Sequence, residues 1–196
     1  MKSVLLSIIA AMISAQAWAG GMKLGQPQYG GTGCPAGSAS VTLSPDETEL
    51  SVLFDNYSAE AGNTTGRRID RKSCNLAIPV QVPQGYSVGI FKVDYRGYDA
   101  IPYGGTGRFD TEYFWAGSRG PRISKVFNPG QGSFTLTHEL LATTMVWSAC
   151  GDSVNFRINS SALAQSNSAG DQAMVMIDSA DVSSKLVYHL QWRRCY

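Results

Sequence analysis

The chain has 196 residues, 43% of them hydrophobic, with 16 basic and 15 acidic side chains for a formal net charge of +1. So even a balance excludes the basic excess of a nucleic-acid binder and gives no electrostatic hold on a membrane surface. The length suits one domain with a real core.

Residues 1–19 read as a cleaved secretory leader. Lys2 is a short positive start, Val4 to Ala15 a mostly apolar run, and Ala17-Trp18-Ala19 an A-x-A cleavage site. The run is too short to span a bilayer, so no transmembrane segment is expected after cleavage. The mature chain then begins at Gly20, and without Lys2 its basic and acidic counts are equal. A secreted or periplasmic location puts Cys34, Cys74, Cys150 and Cys195 in an oxidising compartment. An even count there points to two disulfides over metal ligation. Three pairings are open; Cys34–Cys74 with Cys150–Cys195 is preferred because each pins one half of the chain and one terminal segment.

Taken in order, residues 20–33 are Gly-, Gln- and Pro-rich and read as an extended or flexible lead-in, with one domain over 34–196. Val41-Thr42-Leu43 and Leu50 to Phe54 flank Ser44-Pro45-Asp46-Glu47-Thr48, a hairpin signal. Asn56 to Ser73, poor in apolar residues, reads as a long surface loop. From Cys74 to Gly97, Leu76, Ile78, Val80 and Val82 alternate with Ala77, Pro79 and Gln81, and Val82-Pro83-Gln84-Gly85 turns the chain into a second strand. This reads as a long hairpin. Its apolar set shifts from Tyr86, Val88 and Ile90 to Phe91, Val93 and Tyr95, a one-residue change of phase that a β-bulge produces.

Short strands are then expected at Thr111 to Ala116, Arg122 to Phe127, Ser133 to Leu140, Thr143 to Cys150, Val154 to Ile158, Met174 to Ile177 and Leu186 to Trp192. Ala162 to Asp171 reads as a polar loop, with room for one helical turn. About ten short strands with no sustained helical period predict an all-β, disulfide-stabilised, two-layer antiparallel sandwich, jelly-roll-like in character. Tyr29-Gly30-Gly31-Thr32-Gly33 recurs as Tyr103 to Gly107, which shared turn chemistry explains.

Several motifs resemble catalytic ones and fail on context. Gly85-Tyr86-Ser87-Val88-Gly89 matches G-x-S-x-G, but the serine leads into a strand instead of a helix, and only His138 and His189 could serve it. It reads as a small residue on a solvent face. Asp110 and Glu112 share a strand face and look like the paired acids of glycosidases, as same-face carboxylates on any exposed strand can. Neither glycine cluster is followed by the lysine or helix of a phosphate cradle. No C-x-x-C, H-x-x-x-H or EF-hand loop occurs, so no metal or cofactor is expected. Asp178 with Asp181, or Asp152 near Asn155, are the carboxylates a calcium site would use. Arg67, Arg68, Arg71 and Lys72, diluted by Asp70, form a basic run that suits an acidic partner or simply a soluble loop.

The candidate binding surface is aromatic: Tyr95, Arg96, Tyr98, Asp99, Tyr103 and Trp115, rings for stacking on sugars with polar groups at the rim. The competing account packs these rings in the core. The expected partner is an envelope polysaccharide or a surface protein, bound without catalysis; an envelope hydrolase using Ser87 or Asp110 and Glu112, or a structural or inhibitory protein, are the alternatives.

Gly31-Thr32-Gly33-Cys34-Pro35, the Leu50-to-Tyr57 strand with Phe54-Asp55, and Cys74-x-Leu76-x-Ile78 resemble a secreted family of bacteria and fungi, domain of unknown function 4360. So do Pro83-x-Gly85-Tyr86-Ser87, Asp94-Tyr95-Arg96-Gly97 and Trp192-x-x-Cys195. The resemblance implies an exported, cysteine-containing, β-rich domain, and brings no activity or site residues with it.

Overall fold

Period-two alternation resolves into strands along most of residues 21–177 and 186–195, which the computed structural model describes. In chain order these are β1 (Lys23–Leu24), β2 (Gln28–Gly30), β3 (Ala39–Leu43), β4 (Glu49–Phe54), β5 (Ser58–Ala61), β6 (Ile69–Gln81) and β7 (Tyr86–Ile101). They continue as β8 (Thr106–Trp115), β9 (Arg122–Phe127), β10 (Gly130–Glu139), β11 (Val146–Trp147), β12 (Ser153–Gln165), β13 (Ala173–Met176) and β14 (Leu186–Arg194). No helix occurs among the described residues. The expected leader and the pair Asp178 and Asp181 lie outside them.

The strands form two antiparallel sheets, the sandwich that the alternation predicts. The first runs β1-β6-β12-β8-β9, with β2 also on β6; the second runs β3-β4-β14-β7-β13-β5. In the second sheet β7 has β14 and β13 on one edge and β10 and β11 on the other. Between the layers, Leu76, Ile78 and Val80 of β6 and Phe156 and Ile158 of β12 face Val88, Ile90, Val93 and Tyr95 of β7 and Leu186, Tyr188 and Leu190 of β14. An aromatic cluster fills the middle: Tyr188 lies 5.0 Å from Phe156, 5.6 Å from Tyr113 and 6.4 Å from Tyr95 between ring centroids, and Trp115 lies 5.0 Å from Phe156. Burial pushes the hydroxyls of Tyr95, Tyr113 and Tyr188 far above the usual phenol range.

The segment around the Pro83-Gln84-Gly85 turn differs from its expected form. The turn is present, with the Tyr86 N–H donating to the Pro83 carbonyl at 3.1 Å and Gly85 at φ 79°. Yet β6 and β7 do not pair with each other. β6 pairs with β12 and β7 with β14, so the turn carries the chain from one sheet to the other. A hairpin and such an arch share one pattern of alternating strands about a Pro-x-Gly turn; they differ in whether the two apolar faces lie side by side or face each other. Buried Val82, at the crossing, belongs to the second arrangement. The bulge is where the phase change put it. β14 pairs His189 with Lys92 and Leu190 with Ile90, skipping Phe91, whose ring turns outward.

Two expected loops are partly strand. Within Asn56 to Ser73, Ser58–Ala61 forms β5 against β13, and β6 begins at Ile69. Within Ala162 to Asp171, β12 continues to Gln165. In both, buried alanines (Ala59, Ala61, Ala162, Ala164) supply the inward positions. Alanine has weak strand preference, so the alternation carries little signal. Conversely, Thr143 to Cys150 contains only the short β11. The lead-in is extended, with β1 and β2 hydrogen-bonded along β6.

Both preferred disulfides form. Cys34–Cys74 ties the lead-in to β6 with Cα atoms 5.1 Å apart, and Cys150–Cys195 ties the segment before β12 to the end of β14 at 6.1 Å.

Candidate functional site

The six residues of the expected aromatic surface do not converge. Tyr95 and Trp115 are 0% and 3% exposed and belong to the core, where the Trp115 indole N–H donates to the Val146 carbonyl at 3.2 Å. They are therefore removed from any surface; their phase with Val93 and with Phe109 and Tyr113 explains why. Arg96 and Tyr98 alternate with Tyr95 and sit on the opposite, outer side of β7, half-buried. Asp99 is half-buried, its carboxyl pushed up by burial and drawn back by Lys125. Tyr103 stands 88% exposed on the β7–β8 turn, its carbonyl accepting from the Asn167 side chain at 2.9 Å.

The hydrolase motif is not assembled either. Ser87 is buried, not on a solvent face, and its hydroxyl donates to the Ser148 carbonyl at 2.7 Å on a strand. His138 lies instead 3.0 Å from the Tyr113 hydroxyl, with its ring held below the usual imidazole range by burial. His189 lies 2.9 Å from Asp94. In the basic run, Asp70 takes Arg67 at 3.3 Å and Lys72 at 3.8 Å, while Arg71 turns to the Ser161 hydroxyl at 3.2 Å. Asp152 accepts from the Ser153 N–H at 2.7 Å. Among the described residues, no three His, Cys, Asp or Glu side chains are grouped to hold a metal ion.

Asp94 is buried on the outer side of β7. Burial raises its carboxyl, but the Thr137 hydroxyl at 2.6 Å, His189 at 2.9 Å and Lys92 at 3.6 Å outweigh this and hold it below its ordinary value of 3.8. A carboxyl depressed by folding stabilises above its unfolded value and loses that contribution as pH falls through the folded one. Asp94→Asn is therefore expected to destabilise the protein at pH 7. The difference from wild type should shrink progressively below pH 3.8 in urea melts across an acid series.

What does converge is polar and lies on the outer face of the first sheet. Strand pairing lines up Ser73, Ser161, Asp110 and Ser124 in one row across β6, β12, β8 and β9, and Asn75, Asn159, Glu112 and Arg122 in the next. Alternation puts all eight outward, because Leu76, Ile158 and Tyr113 face the core. All but Ser124 line, with Arg71, an open depression of about 210 Å³. The Arg108 guanidinium holds Asp110 at 2.7 and 3.0 Å, and Arg71 holds Ser161. Beneath the floor, the Tyr57 hydroxyl meets the Ser160 hydroxyl at 3.0 Å and props β12 from inside. A second depression of about 390 Å³ lies farther along β6 and β12, where Leu24, Pro79 and Val154 make it more apolar. Asp110 and Glu112 thus share one open site, as their spacing implies. Their neighbours in the rows come from distant segments that no local motif marks.

The family model that matches covers residues 21–195 and is described as a domain of unknown function, DUF4360. The chain belongs to that family. A relative from Arthroderma benhamiae, "Uncharacterized secreted protein", is 32% identical over 169 residues, covering 85% of this chain and 69% of the relative. Among solved structures, TmCBM61 in complex with beta-1,4-galactotriose aligns over 86% of this chain and 88% of its own, with 10% identity and a TM-score of 0.32.

Proposed function

We propose that this DUF4360 protein is an extracellular, non-enzymatic binding module whose outer first-sheet face receives a polysaccharide. The observation that carries this reading is the pair of polar rows across β6, β12, β8 and β9, open to solvent on a rigid sheet. Amides, hydroxyls, carboxylates and guanidinium groups there offer both donors and acceptors, which is what a hydroxyl-covered ligand requires. The extracellular location draws on the two disulfides and on the secreted relative.

Retention on insoluble cell-wall polysaccharides tests the proposal. Wild type should be retained on at least one polymer, and Asn159→Ala with Glu112→Ala should lower retention about tenfold or more with the melting temperature unchanged. Retention equal for the variant, or none on any polymer, would refute it. Hydrolysis is the second reading, favoured by the two carboxylates in one depression. Same-face neighbours on a strand lie about 6.6 Å apart, near the spacing of inverting glycosidases. Both, however, rise from β8 on the same face of the sheet, and Asp110 is occupied by Arg108. Release of reducing ends, abolished by Glu112→Gln, would decide for hydrolysis.

A further inference from the structure

We infer that the seat is built for a neutral, flat, β-linked polysaccharide ribbon lying across the strands, about one sugar per strand; the inference rests on the polysaccharide reading above. Three features of the outer face carry it. The first is the row Asn75, Asn159, Glu112 and Arg122. Its members occupy four neighbouring strands at one register, and none makes a side-chain hydrogen bond or ion pair among the described residues. In the adjacent row, by contrast, Ser161 and Asp110 are already engaged by Arg71 and Arg108. Apart from the end hydroxyls of that row, Ser73 and Ser124, the free hydrogen-bonding capacity forms a line running across the strands.

The second feature is spacing. Neighbouring strands sit about 4.8 Å apart, so the line repeats at that interval, and a ribbon-like β-1,4-linked chain advances by about the same amount per sugar. A coiled α-linked chain does not keep pace with the row. The third is charge. Two cations, Arg71 and Arg122, and two anions, Asp110 and Glu112, border the depression, and Arg108 pairs with Asp110 from beside it, so an acidic polymer would be set beside carboxylates while a neutral one brings no charge to place. Hydroxyls both donate and accept, and so can use Glu112, the amides and Arg122 alike.

The row is also open at one end. Its continuation on β2 is Gly30, paired with Asn75, where an added Cβ would meet only the Asn75 carbonyl oxygen at 4.0 Å. The neighbouring Gly31, at φ 120°, lets the chain come so near Ser73 that a Cβ would fall 2.2 Å from its carbonyl oxygen. This gives the first Tyr-Gly-Gly-Thr-Gly stretch a role its second copy lacks: it brings a strand without an outward side chain against the row's end.

Isothermal titration of the full chain with cello-, manno- and malto-oligosaccharides and with polygalacturonate tests the inference. Affinity for the cello- or manno-series should rise from two sugars to about four and then level, exceeding that for maltohexaose and polygalacturonate at least tenfold. Asn159→Ala should lower affinity for the preferred hexaose about tenfold, and Glu112→Gln, whose amide still meets hydroxyls, about threefold at most. Equal binding of maltohexaose, or tighter binding of polygalacturonate that Glu112→Gln strengthens, would overturn the ribbon while leaving the polysaccharide reading intact. Absence of binding to any sugar polymer would overturn both.

Discussion

Cys34→Ala with Cys74→Ala is expected to lower the free energy of unfolding by about 4 kcal/mol, the entropy that cross-linking removes from an unfolded chain over a separation of 40 residues. The location adds to the effect. Both cysteines are buried, and Cys74 belongs to the core face of β6, the strand on which β1 and β2 also pair. Without the bridge, two short strands, the packing of Met22, Leu24 and Tyr29 on the core, and a few hydrogen bonds must hold the lead-in. Urea melts of oxidised wild type and variant check this; a difference below about 1 kcal/mol would mean that the bridge merely decorates a lead-in already held by pairing. Cys150–Cys195 closes a similar separation of 45 residues, but Cys150 is exposed, so its loss should cost less packing.

Trp115→Ala should destabilise by about 3–5 kcal/mol, whereas Tyr103→Ala should stay within about 0.5 kcal/mol of wild type. The indole packs on Phe156, is 3% exposed and satisfies the Val146 carbonyl, so truncation leaves both a cavity and a buried acceptor without its donor. Tyr103, 88% exposed, loses no packing. Thermal and urea melts of the two variants separate the roles of two aromatic residues that the sequence offers for one surface or for the core. A Trp115→Ala protein as stable as wild type would mean the aromatic cluster is looser than its centroid distances imply.

Phase along the strands rich in large apolar residues was legible, but the neighbour of each strand was not. Val88, Ile90, Val93 and Tyr95 announce both the core face of β7 and the skipped Phe91, because a change of parity leaves its mark in the residues themselves. Tyr95 and Trp115 carried the same parity as their buried neighbours, and that signal argued for the core over the surface. Which sheet follows the Pro83 turn depends on what lies across the core, information held by β12 and β14 far along the chain. Strands built on alanine, such as β5 and the end of β12, conceal their inward positions because so small a side chain barely registers as apolar. The candidate face shows the same division. Asp110 and Glu112 were visible as a same-face pair, while Asn75, Asn159 and Arg122 became their neighbours only through pairing across long separations.

The placement of β14 governs when the molecule can come together. It is the last strand described, yet it lies inside its sheet, hydrogen-bonded to β4 on one side and β7 on the other. Among the described strands a ribosome delivers it after all the others, so a growing chain holds an open slot between β4 and β7 until Leu186–Arg194 has been made. Contacts between segments so remote in sequence also form slowly. The architecture thereby postpones the closure of this sheet, and a nascent chain stays threadable until β14 arrives to lock it.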